Sequence, residues 1–295
     1  MKKFTYLLMA ALFCGSFTAF AQDDEVKVTP AFNDDFEPTF KFNKDYKYYG
    51  IVLDDETKAA NLADDQYVYL GPDADAKRNL WIWDGQSSFV GNLSGNNSFD
   101  VPGAYMSYQV GGAGWSGIGY NIAADAPALD LSGINDEYTF HIALKSTGND
   151  AVDFYLTDGS GKEAHLVFGD ANFGDNEPIA NFKRDGEWYN VDIPMSYLED
   201  NFGLSFKKDK EYKDKNILCL LAGGTAGFTI DYDAVFFYGP KSTSTGIKGI
   251  TTSKGNQGTA EYFTIDGKKV SKAQAQASKG IYLVKQNGTT KKVVM

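Results

Sequence analysis

The chain holds 295 residues, 43% of them hydrophobic and 23% charged, with 39 acidic against 28 basic side chains and a net charge of −11. That apolar content is too high for a disordered chain, and the length suits one large β domain or two modest ones. The excess of acid speaks against nucleic acid as a partner, because phosphate binding needs clustered Lys and Arg that release counterions.

The first element is an address. Lys2 and Lys3 precede an apolar run from Phe4 to Phe20, and Ala19-Phe20-Ala21 puts small residues where a signal peptidase reads. Residues 1–21 are therefore expected to be a signal peptide cleaved before Gln22, with the product secreted or held at the outer cell surface. As a membrane span the run is short, about 17 residues interrupted by Thr5, Cys14, Gly15, Ser16 and Thr18. Phe13 stands where a lipoprotein cleaved before Cys14 would need a small residue. No later stretch approaches that length, so no transmembrane segment is expected in the mature chain. Losing residues 1–21 also removes Cys14 and leaves Cys219 alone, so a core rather than an internal disulfide must hold the fold.

Charge divides the mature chain into two parts. Residues 22–240 carry 37 acids against 16 bases, a net of −21, while residues 241–295 carry ten lysines against Glu261 and Asp266, a net of +8. Gly239-Pro240-Lys241-Ser242-Thr243-Ser244-Thr245-Gly246 is small and polar, which sets a domain boundary after residue 240, a linker over 241–256 and a tail domain over 257–295.

The body, 22–240, reads as all-β. Tyr138, Phe140, Ile142 and Leu144 alternate with Thr139, His141 and Ala143, the period of a strand with one buried face. Val152, Phe154 and Leu156 repeat the pattern, and the turn Thr157-Asp158-Gly159-Ser160-Gly161-Lys162 leads into a strand over Ala164–Phe168. Further strands are expected over 188–193, 216–221 and 229–238, one short helix over 196–201, and loops over 58–65 and 206–215. About eight to ten strands point to a β-sandwich or jelly roll, followed by a small Ig-like β tail domain.

Aromatic residues give the main functional signal. Sugars present C–H faces to Trp and Tyr rings while amides and carboxylates take the hydroxyl hydrogen bonds, and residues 79–121 hold that mixture. Trp115, in the glycine-rich GGAGWSGIGY, is the leading stacking ring, with Tyr120, Trp81 and Trp83 behind it and Asn121, Asp84 and Gln86 as hydrogen-bond candidates. Trp81 and Trp83 are two apart, so they share one strand face, with Ile82 on the other.

Other motifs fail on context. Gly112-Ala113-Gly114-Trp115-Ser116-Gly117 fits a dinucleotide-binding pattern, but Tyr120 onward runs to Asp125-Ala126-Pro127 without the helix such a loop requires. Ile118 stands where a nucleophile elbow needs its second glycine. His141 and His165 both fall within strands and read as structural. No catalytic residue can be assigned. A glycoside hydrolase would need two positioned carboxylates, and in so acidic a chain their abundance selects no pair.

The ends of the body carry a resemblance. FNDDFEP at Phe32–Pro38 and TIDYDAVFFYG at Thr229–Gly239 are similar to the first and last strands of secreted carbohydrate-binding jelly rolls of the galactose-binding-like type. The resemblance implies terminal strands lying close together, a polysaccharide or glycan as ligand, no required cofactor, and carboxylates that often hold a structural calcium. Here Asp34, Asp35 and Glu37 would meet Asp231 or Asp233, supplying the hard oxygen ligands that calcium takes. The tail carries a second one. STGIKGI, EYFTIDGKKV and KGIYLVKQNGTTKKVVM resemble, in order, the C-terminal sorting domain of type IX secretion, which implies the type IX secretion machinery as a partner. Few residues precede Tyr262, so this is a short version of that domain. The reading is an exported, non-catalytic glycan-binding protein. An adhesive surface protein whose sandwich binds another protein, and a jelly-roll glycosidase, remain as alternatives.

Overall fold

A computed structural model of the chain describes residues 31–33, 40–88, 93–111, 114–241, 261–264, 268–271, 281–286 and 289–294. The signal segment, Asp34, Asp35, Glu37 and most of the linker lie outside the described residues. The chain separates into two compact units, Met1–Ser242 and Thr243–Met295.

The body is an all-β sandwich. In chain order it runs β1 (Ala31–Asn33), β2 (Tyr46–Val52), α1 (Asp55–Asn61), a 3-10 turn (Asp64–Gln66), β3 (Tyr67–Tyr69), β4 (Arg78–Trp83), β5 (Gly85–Ser88), β6 (Met106–Val110), β7 (Trp115–Ile122), β8 (Thr139–Lys145), β9 (Val152–Thr157), β10 (Glu163–Phe168), β11 (Pro178–Ala180), β12 (Tyr189–Pro194), α2 (Met195–Phe202), β13 (Lys215–Gly223) and β14 (Thr229–Pro240). One sheet has eight strands in the order β1-β12-β8-β14-β2-β3, with β6 and β5 added beside β14. The other has six, β11-β10-β9-β13-β7-β4.

The alternating strands form as the sequence leads one to expect. Phe140, Ile142 and Leu144 of β8 face Val152, Phe154 and Leu156 of β9 and Leu218, Leu220 and Ala222 of β13 across one core cluster in which each is at most 1% exposed. Burying each large side chain of this kind is worth roughly 1.5–3 kcal/mol, which is what holds the sheets together without a disulfide. In β14 the alternation changes parity. Ile230 and Tyr232 face the core, then Val235 and Phe237 do, because the register shifts between Asp233 and Phe236 and Ala234 takes φ +51°. The same bulge turns Phe236 outward into a second cluster with Tyr48, Leu53, Ala143 and Ala234, covered by Phe40, Phe42 and Phe99.

Two expectations are corrected. The segment 58–65 is not a loop, because α1 covers its first part and the 3-10 turn its end. Asp54 accepts a hydrogen bond from the Thr57 amide at 2.8 Å, and Asp55 and Glu56 fill the first turn, where the helix dipole favours negative charge. The terminal strands are also not neighbours. β1 pairs with β12, and β12 and β8 stand between it and β14. The helix expected over 196–201 is α2, which ends where Gly203 takes φ +71°.

In the second unit, β15 (Glu261–Thr264), β16 (Lys269–Val270), β17 (Ile281–Gln286) and β18 (Thr289–Val294) form an antiparallel sheet in the order β16-β15-β17-β18. Tyr262, 9% exposed, stands opposite Val270 on one side and Val284 on the other.

Candidate functional site

The side chains of β4 and β7 that do not enter the core lie on the outer face of the six-stranded sheet. On β7 the core takes Ile118, Tyr120 and Ile122, so Trp115, Gly117, Gly119 and Asn121 face outward. On β4, Leu80 packs against the core and Asn79, Trp81 and Trp83 take the outer face. The register then fixes their neighbours. Asn79 stands opposite Asn121, Trp81 opposite Gly119, and Trp83 opposite Gly117.

Those two glycines shape the site. A Cβ at Gly119 would come within 2.6 Å of Trp83 Cη2 and 3.1 Å of Asn216 Cγ, and one at Gly117 would meet Leu221 Cδ2 at 2.9 Å and Trp83 Cε3 at 3.4 Å. The Trp83 indole therefore lies against a strip of bare backbone, half-buried, while Trp81 is 51% and Trp115 57% exposed. Trp81, Trp83 and Trp115 thus come together on one face.

Polar groups continue this face across β13, β9 and β10. Asn121 Nδ2 donates to Asn216 Oδ1 at 3.1 Å. The row through Trp81 and Gly119 passes to Cys219, Tyr155 and His165. His165 Nδ1 is 2.6 Å from Asp153 Oδ2, its Nε2 is 3.5 Å from Glu163 Oε2, and its ring lies 4.9 Å from that of Tyr155. The Asp153 hydrogen bond, the largest influence, raises the His165 pKa. Asp153 itself is fully buried and its Oδ1 has no hydrogen-bond partner. Cys219 is buried beside Tyr155, and burial pushes its thiol up to about 11. His165, Gly117, Gly119 and Asn216 were not among the sequence candidates. The readable signal was the Gly-x-Gly spacing of two opposite the Trp-x-Trp of β4.

The remaining candidates lie elsewhere. Tyr120 is 3% exposed and points into the core, where its hydroxyl is 2.9 Å from that of Tyr232, so its ring is not presented beside Trp115. It borders, from within, a pocket of about 240 Å³ that Tyr69, Pro72 and Met106 also line. Asp84 is exposed at the turn after β4, with φ +50°. Gln86 stands in β5, a strand of the eight-stranded sheet, opposite Gln109.

Of the acids suggested for calcium, Asp231 Oδ2 is 3.4 Å from Lys145 Nζ, which places a cation on it already. Asp233 is fully buried, and its Oδ2 accepts from the Ser98 amide at 3.1 Å and the Ser98 hydroxyl at 2.6 Å. Its Oδ1 has no partner, and burial pushes its pKa up to about 6. This pair does not by itself make a calcium site, and among the described residues no group of three or more His, Cys, Asp or Glu is placed to hold a metal. His141 is structural in its surroundings, with Nδ1 2.8 Å from Asp192 Oδ1 and its ring stacked on Phe236 at 4.9 Å.

No family model matches the chain, and no curated relative does. Among solved structures it is similar to an exo-beta-agarase, at 13% identity and a TM-score of 0.35, over 55% of this chain and 23% of that one. It is also similar to a family 11 carbohydrate-binding module of a cellulosomal cellulase from Clostridium thermocellum, at 12% identity and 0.33, over 56% of this chain and 88% of that one. A family 30 carbohydrate-binding module matches at 13% identity and 0.32, over 55% and 91%. Likeness this low assigns neither a family nor a ligand.

Proposed function

We propose that the body binds a glycan across the outer face of its six-stranded sheet. The observation that carries this reading is the joint exposure of Trp81 and Trp115 beside Trp83, with Asn79, Asn121 and Asn216 next to them. Exposed indoles offer flat apolar area for sugar C–H faces, and primary amides both donate to and accept from hydroxyls. The two β7 glycines let the Trp83 indole lie down on bare backbone, which makes that ring part of the floor of the face. The proposal is non-catalytic. On this face Asp153 and Glu163 both lie against His165.

With this goes an exported life. Residues 1–21 would direct export and the lysine-rich tail would engage the type IX secretion machinery, leaving the body secreted or at the outer cell surface. Among the described residues no helix is long and apolar enough to cross a membrane.

Affinity electrophoresis through gels containing neutral and acidic polysaccharides tests the binding. Retardation by at least one of them that is lost in Trp115→Ala supports the site. Retention that survives both Trp115→Ala and Trp81→Ala refutes it.

A further inference from the structure

Two of the four large apolar side chains that stand exposed among the described residues, Trp81 and Ile82, are consecutive at one place, and a third, Tyr69, lies under the guanidinium of Arg78 at the start of the same strand, at 5.5 Å. That place is the β4 edge of the six-stranded sheet. Among the described residues β4 pairs with β7 on one side and, beyond a single bridge between Arg78 and Asp73, has no strand on the other. Its open side can be read from two sets of backbone bonds. The Lys77 carbonyl accepts from the Ala123 amide just beyond β7, whereas the Arg78 amide and carbonyl both bond Asp73 on the opposite side. Backbone direction alternates along a strand, so Asn79 and Trp81 aim at β7, and Leu80 and Ile82 aim their amides and carbonyls away from it.

We propose that this edge pairs with the same edge of a second copy of the chain. An antiparallel pair about a two-fold axis at Trp81 sets Leu80 opposite Ile82 of the other copy. Both residues of each such pair then point their backbone groups across the seam and exchange two hydrogen bonds. The strand is self-complementary in this sense, with four bonds closed by two residues from each copy. Trp81 would stand directly opposite its own counterpart, in the closely spaced position of an antiparallel ladder.

Edge strands ordinarily carry protection against such pairing, and β4 lacks it. From Leu80 to Trp83 it holds no charge and no proline, and it is apolar on both faces. The other edge strands of the body are shorter, β5 having four residues. β11 is three residues beginning at Pro178, and β3 and β1 are three residues each. A second copy fits this edge because Leu80 and Ile82 flank Trp81 symmetrically, so that each apolar side chain meets another apolar one across the seam. The inference stands without the glycan reading, but if both hold the two tryptophan faces would be joined into one.

Sedimentation velocity of the chain from Gln22 onward, with both units present, tests it at about 1–100 μM. A dimer is expected, and Ile82→Lys, which places a charge at the seam on the side away from the tryptophan face, should yield monomer with an unchanged circular dichroism spectrum. Trp81→Cys should close a disulfide between copies on air oxidation, since its Cα would lie about 4.5 Å from its counterpart, while Asn79→Cys should not. A monomer across the whole range, or a dimer that persists in Ile82→Lys, overturns the proposal. So does a chain that stays monomeric alone and binds only a strand of another protein. Polysaccharide retardation by monomeric Ile82→Lys separates this result from the glycan reading.

Discussion

Trp83 and Gly119 are in such close contact that the single carbon separating glycine from alanine would come within 2.6 Å of the indole Cη2. The ring's position depends on a hydrogen atom standing where other residues carry a methyl group.

Gly119→Ala should therefore lift Trp83 off the sheet. The atom in the way is the far end of a side chain, so the ring can swing, and the expected loss of stability is about 1–3 kcal/mol. Retardation by polysaccharide should fall more than this implies, because the displaced indole would stand up from the floor of the face beside Trp81. Thermal melts and affinity gels on the same variant check both parts. An unaltered gel mobility shift would show that Trp83 does not shape the site.

Trp115→Ala and Trp81→Ala should behave in the opposite sense. Both rings are more than half exposed on the single chain, so their removal should leave the stability of the monomer within about 0.5 kcal/mol. Each stacked ring contributes roughly 0.5–1.5 kcal/mol beyond its area, so binding should weaken by several-fold or more per ring. Isothermal calorimetry against a retarding polysaccharide, beside a denaturation curve, separates the two effects.

Stability should fall as pH rises from about 4 to 8, with Asp233 responsible for much of the slope. Its folded pKa is raised from 3.8 to about 6 by burial, so the folded state holds the proton more tightly than the unfolded chain. That contribution is complete below the unfolded value and is lost as pH passes through about 6. The difference amounts to about 3 kcal/mol. His165, whose pKa is also raised, contributes in the same direction at higher pH, where its partial exposure weakens it. Asp233→Asn, which keeps an acceptor for Ser98, should flatten the urea-denaturation profile between pH 4 and 8. A variant whose profile follows the parent would exclude Asp233 as the source.

Cys219 should be inert in the folded protein. Its thiol is buried and pushed up to about 11, so at pH 8 it is overwhelmingly protonated. A chain beginning at Gln22 should release no chromophore from a thiol-exchange reagent until denaturant is added, and then one equivalent.

Much of this fold was legible because its strands alternate cleanly. Val152, Phe154 and Leu156, or Phe140, Ile142 and Leu144, announce a buried face without reference to their partners. α1 is hard to see in the sequence because DETKAAN has no apolar stripe, yet Asp54 followed by two acids and Thr57 is a helix start, and the cap geometry agrees with it. The shared face of Trp81 and Trp83 was likewise readable from spacing, but their exposure was not. It follows from Gly117 and Gly119, more than thirty residues later, lying opposite them in β7. Tyr120 closes the same glycine-rich segment as Trp115, and nothing in that segment shows that Trp115 already stands in a strand. Once Trp115 begins a strand, the odd separation of five puts the two rings on opposite faces.

β14 has a bearing on when the body can fold. It is twelve residues long, lies at the centre of the eight-stranded sheet, and joins β8 on one edge to both β2 and β6 on the other. It is also the last strand of the body to be synthesised. Before it is made, β8 with β12 and β2 with β3 have no common strand to bind them, and the eight-stranded sheet waits on a segment ending at Pro240. Were residues 1–21 to direct export as proposed above, such a sequence order would keep the body open for passage through a membrane. Its completion signal is built into the final strand, so premature closure during synthesis is discouraged by the topology itself.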